Sequence, residues 1–166
     1  DPQYFDSAVL PLNEMDRLLR SKAVLLKGVE VVLVTEKTGE AKRWKFEDGL
    51  SGFLREELLD RELVAPMFSG DPSVDVLRDE GFAEGEGAAW ALAFVAEGAP
   101  VRESYVNLIP TSAGGTHESG LREAVFQAIK AFCEMHSLMP KGIKLMPDDI
   151  FSKANFVLSA KVLDPQ

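Results

Sequence analysis

A glycine pair followed by threonine and histidine is the first feature of the sequence that could do chemistry. Gly114, Gly115, Thr116 and His117 lie between a predicted strand and a predicted helix, where backbone amides can point toward an anion. The run lacks the Gly-Lys-Ser or Gly-Lys-Thr of a Walker loop and the Gly-x-Gly-x-x-Gly of a dinucleotide-binding loop. A structural interpretation is equally open, in which the glycines permit a tight connection and Thr116 caps the helix.

Arg122 is the second candidate, because of its position on the predicted helix. At about 100° per residue, Arg122 falls within the arc of apolar side chains, and most charged side chains lie opposite. We also expect it in the first helical turn, where the helix dipole disfavours a cation. The guanidinium then needs an anionic partner, which is either a carboxylate such as Glu118 or Glu103 or an anionic ligand, most naturally a phosphate.

The histidines and the cysteine do not have the spacing of a metal or catalytic centre. His117 and His136 are nineteen positions apart, and Cys133 is the single cysteine, so the usual zinc spacings are absent. We therefore predict no metal site in this chain and no catalytic role for Cys133 or His136. Cys133 is interpreted as a small core residue, and His136 as a residue suited to the C-terminal end of a helix.

The charge of the chain restricts its partners. Eighteen basic and 27 acidic residues give a formal net charge of −9, which argues against a broad DNA-binding face. Residues 60–100 hold nine acids and two bases, whereas residues 101–166 hold seven of each. The acidic stretch is interpreted as a solvated loop. Any contact with nucleic acid should therefore be confined to the C-terminal part.

Length and composition indicate one domain of ordinary type. The 166 residues fit about 100–200 residues per domain, and 46% hydrophobic and 27% charged residues are typical of a globular protein. A single cysteine allows no internal disulfide, and no apolar run approaches the roughly 20 residues that span a bilayer. These features predict a cytoplasmic protein without membrane association. Because the chain opens at Asp1 without a methionine, we expect a fragment of a longer polypeptide.

The elements that must position these residues begin with a helix and a hairpin. Apolar residues at helical spacing predict a helix over residues 13–26. Runs at residues 29–35 and 41–46 flank a short turn and predict a hairpin, whose first strand is apolar enough to be buried. A second helix follows, capped by Asp48. Its apolar stripe consists of Leu50, Phe53, Leu54 and Leu58.

The rest of the chain alternates strands and helices. A loop is predicted over residues 64–87, in which residues 73–78 are the candidate for a short edge strand. The sequence indicates an α+β fold, a mixed sheet with helices covering one face. Its further predicted elements are strands at 89–95, 104–109 and 156–163, a turn at 97–100, and helices at 120–136 and from residue 147.

Three segments together resemble a known family. They are RESYVNLIPT at residues 102–111, GGTHESGLR at 114–122, and LSAK with DPQ between residues 158 and 166. They are similar to the transducer domain in the B subunit of bacterial DNA topoisomerase IV, in the gyrase B-like family of type IIA topoisomerases. Further matching pieces at residues 18–25 and 47–50 extend the resemblance to nearly the whole chain. The segment before the glycine pair resembles topoisomerase IV more closely than DNA gyrase.

The resemblance implies a fold and a role. The fold is that of the second domain of ribosomal protein S five, with a left-handed strand-helix-strand crossover. Residues 1–166 then form a single transducer domain that couples ATP binding and hydrolysis to DNA strand passage in a type II DNA topoisomerase. In the full-length protein, ATP and Mg²⁺ bind to an upstream ATPase domain, and a lysine loop follows the Asp-Pro-Gln strand. The chain itself then holds no catalytic residue, no ATP-contacting residue and no cofactor, and alone it should be inactive.

The resemblance also implies partners and one site residue. The B subunits form a homodimer on ATP binding, the A subunit of topoisomerase IV carries the cleaving tyrosine, and transducer residues line a cavity that traps duplex DNA. The arginine after the Gly-Leu pair lies in that cavity, and here it is Arg122. Two alternatives stay open: the same domain in the B subunit of DNA gyrase, and a stand-alone nucleic-acid-binding module, which the net charge disfavours.

Overall fold

The computed structural model describes residue 4, residues 10–71, residue 83 and residues 85–164. By its Cα positions the chain divides into two units, Asp1–Phe53 and Leu54–Gln166. The candidate edge strand at residues 73–78 lies outside the described residues. A single domain over residues 1–166 stays a prediction.

The first unit contains a helix followed by a hairpin. Helix α1 spans Leu12–Leu25, and strands β1 and β2 span Val31–Thr35 and Glu40–Trp44. The two strands pair antiparallel, with Val31 opposite Trp44. The predicted helix and hairpin are confirmed, with ends shifted by one or two residues.

The prediction that β1 is buried is wrong. Its side chains alternate between half-buried and exposed, and Val32 and Val34 are among the exposed ones. In the part of the chain that the structure describes, β1 pairs with β2 in a two-stranded sheet. The central strand of a larger sheet can be covered on both faces, whereas a strand in a two-stranded sheet is not.

Helix α2 spans Leu50–Glu57, and the boundary between the two units falls inside it. Of the predicted apolar stripe, Phe53, Leu54 and Leu58 are buried. In the first unit, the ring of Phe53 meets Phe46 edge to face, with ring centroids 5.7 Å apart. The prediction of an amphipathic helix at this place is confirmed.

The second unit is built around a five-stranded sheet. Its strands are β3 (Phe68–Gly70), β4 (Gly87–Phe94), β5 (Arg102–Val106), β6 (Ile109–Pro110) and β7 (Ala154–Lys161), and its helices are α3 (Thr116–Met135) and α4 (Pro147–Phe151). The order across the sheet is β3-β4-β7-β5-β6. Strand β7 pairs antiparallel with β4 and parallel with β5, so it is central. The predicted α+β fold with a mixed sheet is confirmed.

Helices α3 and α4 supply apolar cover for this sheet. Leu121 and Val125 of α3 pack on a cluster whose buried members are Leu92, Phe156 and Leu158. Val125, Phe126 and Ile129 pack on a second cluster, formed by Ile150, Phe151 and Ala154. Helix α3, which is described throughout, has no fully buried residue. Its apolar arc is therefore only partly covered.

A tight turn divides the predicted strand at residues 104–109. Asn107 and Leu108 have φ angles of 48° and 69°, and they separate β5 from β6. Positive φ at both central residues is the geometry of a two-residue hairpin. Asparagine adopts it more readily than leucine. The prediction of one uninterrupted strand is wrong, because the chain reverses here and pairs Val106 with Ile109.

Candidate functional site

The glycine pair lies in the connection from β6 to α3. Gly114 has a φ of 73° and donates its backbone N–H to the carbonyl oxygen of Thr111 at 2.8 Å, which closes a tight turn. Gly115 is the N-cap of α3, and no side chain caps the helix. The predicted cap at Thr116 is wrong, because the helix begins at Thr116 itself, four residues earlier than predicted. Thr116 and His117 thus belong to the first turn of α3.

Four polar side chains form a network around this connection. The hydroxyl oxygens of Ser104 and Thr111 lie 2.6 Å apart. The Thr111 hydroxyl is 3.0 Å from Nε2 of His117, and the Ser104 hydroxyl also donates to the carboxylate of Glu118. Ser104 is on β5, whereas His117 and Glu118 are in the first turn of α3. The network therefore joins the sheet to the start of the long helix.

The network favours the structural interpretation of the glycine pair. A Cβ atom on Gly114 would lie 3.3 Å from a carboxylate oxygen of Glu118, so this carboxylate is directly beside the connection. A negative charge in the first turn is stabilised by the helix dipole. Glu118 thus supplies the negative charge at the start of α3 that an anionic ligand would otherwise supply. These contacts support the interpretation of the glycine pair as part of a tight connection that is held by internal hydrogen bonds.

Replacing Ser104 with alanine should destabilise the second unit. The change removes the hydroxyl that donates to Glu118 and leaves a part-buried carboxylate without that donor. Such a loss costs about 1–3 kcal/mol. Urea denaturation of the chain would measure it, with Ser112→Ala as a control, because Ser112 is an exposed serine of the same connection. A midpoint unchanged from the wild-type value would contradict a stabilising network.

Arg122 lies further along α3 than predicted. It is the seventh residue of the helix and not part of the first turn, so the predicted dipole penalty does not apply to it. Its Nη2 atom lies 3.3 Å from Oδ1 of Asp148, in the first turn of α4. The predicted partners are wrong, because Glu118 accepts from Ser104 and Glu103 accepts from the Tyr105 hydroxyl.

The ring of Phe151 orients the guanidinium of Arg122, and the exposed carboxylate of Asp148 forms only a weak ion pair with it. Its Cζ atom stands 4.8 Å from the ring centroid of Phe151, a cation–π arrangement. The side chain of Asp148 is 94% exposed and that of Arg122 is 37% exposed. An ion pair this exposed contributes about 0–1 kcal/mol. The guanidinium is therefore held at the surface, and its ion pair with Asp148 contributes little to stability.

The structure places the predicted residues in two separate groups, one at the start of α3 and one further along it. His117 joins the network beside the connection, together with Ser104, Thr111 and Glu118, which the sequence pattern did not assign to it. Arg122 follows His117 by five residues, about 7.5 Å along the axis, and its contacts are with α4. A polar Ser104 at a buried position of a strand was the signal for the missed network.

The remaining candidates have ordinary surroundings. His136 is the C-cap residue of α3, as predicted, and its ring lies 4.3 Å from that of Phe132. Cys133 is half-buried, so its interpretation as a core residue is wrong. The described part of the chain holds no group of three or more His, Cys, Asp or Glu residues that could bind a metal ion. None of the helices described is both long and apolar enough to cross a membrane.

Comparison with known sequences gives a consistent result. The sequence model of a family described as DNA gyrase B matches residues 49–166. The B subunit of DNA topoisomerase 4 from Pseudomonas aeruginosa is 42% identical over the whole chain, and that from Escherichia coli is 37% identical. The chain spans about a quarter of the length of these relatives, 25% in both cases.

The fold of this chain resembles solved structures of domains from topoisomerase IV and gyrase B. The topoisomerase IV ATP binding domain of Francisella tularensis, solved with a small-molecule inhibitor, matches with a TM-score of 0.73 and 32% identity. It covers all of this chain, which corresponds to 42% of that structure. The 43K ATPase domain of Thermus thermophilus gyrase B, in complex with an aminocoumarin, matches with a TM-score of 0.74 at 20% identity, which is a likeness of fold alone.

Proposed function

The chain belongs to the DNA gyrase B family, and from this membership we propose that it is the transducer domain in the B subunit of a topoisomerase IV. The similarity to relatives of that name extends over the whole chain, which corresponds to 25% of their length. A domain of this extent does not perform the reaction alone. It couples ATP binding and hydrolysis elsewhere in the full-length protein to the passage of one DNA duplex through another.

Arg122 is the observation that carries the DNA side of this proposal. The face of Phe151 holds its guanidinium, and the carboxylate paired with it is almost fully exposed. A phosphate of duplex DNA is a stronger, bidentate partner for such a group. Arg122 thus contacts DNA in a cavity between two subunits, where a single local contact is compatible with a net charge of −9.

Coupling needs the position of Arg122 to depend on the nucleotide state. The network of Ser104, Thr111 and Glu118 fastens the start of α3 to β5, so the helix and this part of the sheet move together. ATP bound elsewhere then favours one of two orientations of the sheet, and DNA on Arg122 favours the same one. The coupling can be no larger than the difference in affinity for the two orientations.

The full-length protein supplies what this chain does not contain. ATP and Mg²⁺ bind in the ATPase domain, and a lysine loop after the Asp-Pro-Gln segment contacts the γ-phosphate. The partners are the A subunit of topoisomerase IV, a second B subunit in a dimer formed on ATP binding, and duplex DNA. The enzyme acts in the cytoplasm.

The full-length B subunit, reconstituted with its A subunit, should decatenate linked DNA circles in an ATP-dependent reaction. We expect no introduction of negative supercoils, because the proposed enzyme is a topoisomerase IV and not a gyrase. Gel electrophoresis of the DNA circles measures both activities, with ATP omitted as the control. Negative supercoiling would support the gyrase alternative instead. Tight, salt-sensitive binding of this chain alone to short duplexes would support the stand-alone nucleic-acid-binding module.

A further inference from the structure

The exit of β7, defined here as residues 162–163, is held by two side chains, one directly after β5 and one directly before β4. On one side, the Asn107 side chain binds both backbone groups of Val162. Its Nδ2 donates to the Val162 carbonyl at 2.8 Å, and its Oδ1 accepts the Val162 N–H at 3.0 Å. This two-point contact continues the β5–β7 pairing beyond its last backbone pair, Val106 with Ala160.

On the other side, Glu86 binds the next residue of the exit. Its Oε1 accepts the backbone N–H of Leu163 at 3.0 Å, and its Oε2 accepts that of Ala83 at 3.2 Å. These two donors lower the pKa of the Glu86 carboxyl from its ordinary value, the Leu163 contact having the larger effect. Glu86 directly precedes β4, whose first residue, Gly87, pairs with Lys161. The carboxylate thus continues the pairing of β7 on this side.

The backbone that carries Asn107 is in an uncommon conformation. Asn107 and Leu108 both have positive φ, and a leucine in that region costs free energy that the surrounding structure must offset. The turn places the Asn107 side chain against β7, and its backbone N–H also donates to the Ala160 carbonyl at 2.9 Å. The hairpin of β5 and β6 therefore fixes the exit as well as the edge of the sheet.

We propose that Asn107 and Glu86 are positioning residues, which set the direction in which the chain leaves β7 and thereby place the segment that follows. The inference rests on the proposed function, in which that segment delivers a lysine to the γ-phosphate of ATP. Asn107 and Glu86 bind consecutive residues of the exit from opposite sides. Together they fix the direction of the chain, whereas a single contact would fix only one point of it. The start of α3 is fastened to the same sheet through Ser104 and Glu118. A rotation of the sheet therefore moves the exit of β7 and the start of α3 together.

The test uses the full-length protein with Asn107→Ala and Glu86→Ala. We expect the kcat of ATP hydrolysis to fall about tenfold or more, since a small misplacement of a reacting group has effects of that size. The Kd for ADP, which lacks the γ-phosphate, should stay within about twofold because ADP does not use the lysine contact. Hydrogen exchange measured by mass spectrometry should become faster at residues 162–163 in both variants.

Two further variants separate positioning from stability. Glu86→Gln keeps an oxygen that accepts from Leu163, so it should restore most of the kcat. Asn155→Ala removes a similar contact at the opposite end of β7, where Asn155 Oδ1 accepts the Val101 N–H at 2.7 Å. It should lower the unfolding midpoint and leave kcat near the wild-type value. If it does not fold, Lys153→Ala takes its place, because Lys153 binds the Ala96 carbonyl at the same end.

The outcomes distinguish this inference from the proposed function. A kcat that stays unchanged in Asn107→Ala and Glu86→Ala, or falls equally in Asn155→Ala, would overturn the positioning role. If Asn107→Ala is unfolded, Asn107→Asp decides in its place, because it keeps the oxygen but loses the donor to Val162. A full-length protein with no ATP turnover at all would overturn the proposed function, whereas exchange at residues 162–163 would still report whether the two side chains hold the exit.

Discussion

Replacing Arg122 with alanine in the full-length protein is expected to remove most of the stimulation of ATP hydrolysis by DNA, at the DNA concentration that gives half-maximal stimulation of the wild type. The guanidinium stands over Phe151 with only an exposed carboxylate as its ion-pair partner. A charge-assisted contact to phosphate contributes about 1.5–3 kcal/mol. We therefore expect the DNA concentration at half-maximal stimulation to rise about tenfold or more. A coupled ATPase assay over a DNA titration measures this, as the ratio of turnover with and without DNA.

Three variants separate the loss of a phosphate contact from a general loss of positive charge. Arg122→Lys keeps the charge but not the planar fork, so it should retain part of the stimulation. Lys130→Ala removes a cation from the same helix, one that pairs with Glu134 at 3.9 Å, and should behave like the wild type. Asp148→Asn removes the competing carboxylate and should strengthen the response to DNA. An unchanged stimulation by DNA in Arg122→Ala would contradict the proposed DNA contact.

Replacing Phe156 with alanine should cause a large loss of stability in the second unit. Phe156 is 1% exposed, lies on the central strand β7, and belongs to the cluster on which Leu121 and Val125 of α3 pack. Truncation of a buried phenylalanine costs about 3–5 kcal/mol, because it removes apolar contacts and leaves a cavity. Urea denaturation followed by circular dichroism measures the midpoint.

The matched control for Phe156→Ala is an apolar truncation at the surface. Val34 on β1 is 57% exposed, so Val34→Ala should change the free energy of unfolding by no more than about 0.5 kcal/mol. Equal effects of the two changes would mean that β7 does not lie at the centre of a packed core.

Local elements could largely be predicted from the sequence, because their signals are local. The helix predicted at residues 13–26 follows from apolar residues at helical spacing and is observed as Leu12–Leu25. Pro147 with Asp148 and Asp149 predicted the start of α4, and Asp149 accepts the Met146 N–H at 2.7 Å in the first turn. The start of α3 was misplaced, because Thr116, His117 and Ser119 are weaker helix formers that the fold nevertheless holds in a helical turn.

Strand partners could not be predicted in the same way. Strands β4 and β5 are consecutive and joined by the predicted turn at residues 97–100, yet β7 lies between them. Alternating side chains identify a strand but not the strand beside it. Strand β7 is buried on both faces over most of its length, so even its alternation is lost.

The sequence by itself determined the fold class, the family resemblance and the choice of Arg122, since each depends on residue types at fixed spacings along the chain. Only the tertiary structure decided what those residues touch: Asp148 and Phe151 at Arg122, Ser104 at Glu118, and Asn107 at Val162. These partners are up to 55 residues apart in sequence. Such contacts depend on where distant elements meet after the apolar surfaces are buried, which local patterns do not encode.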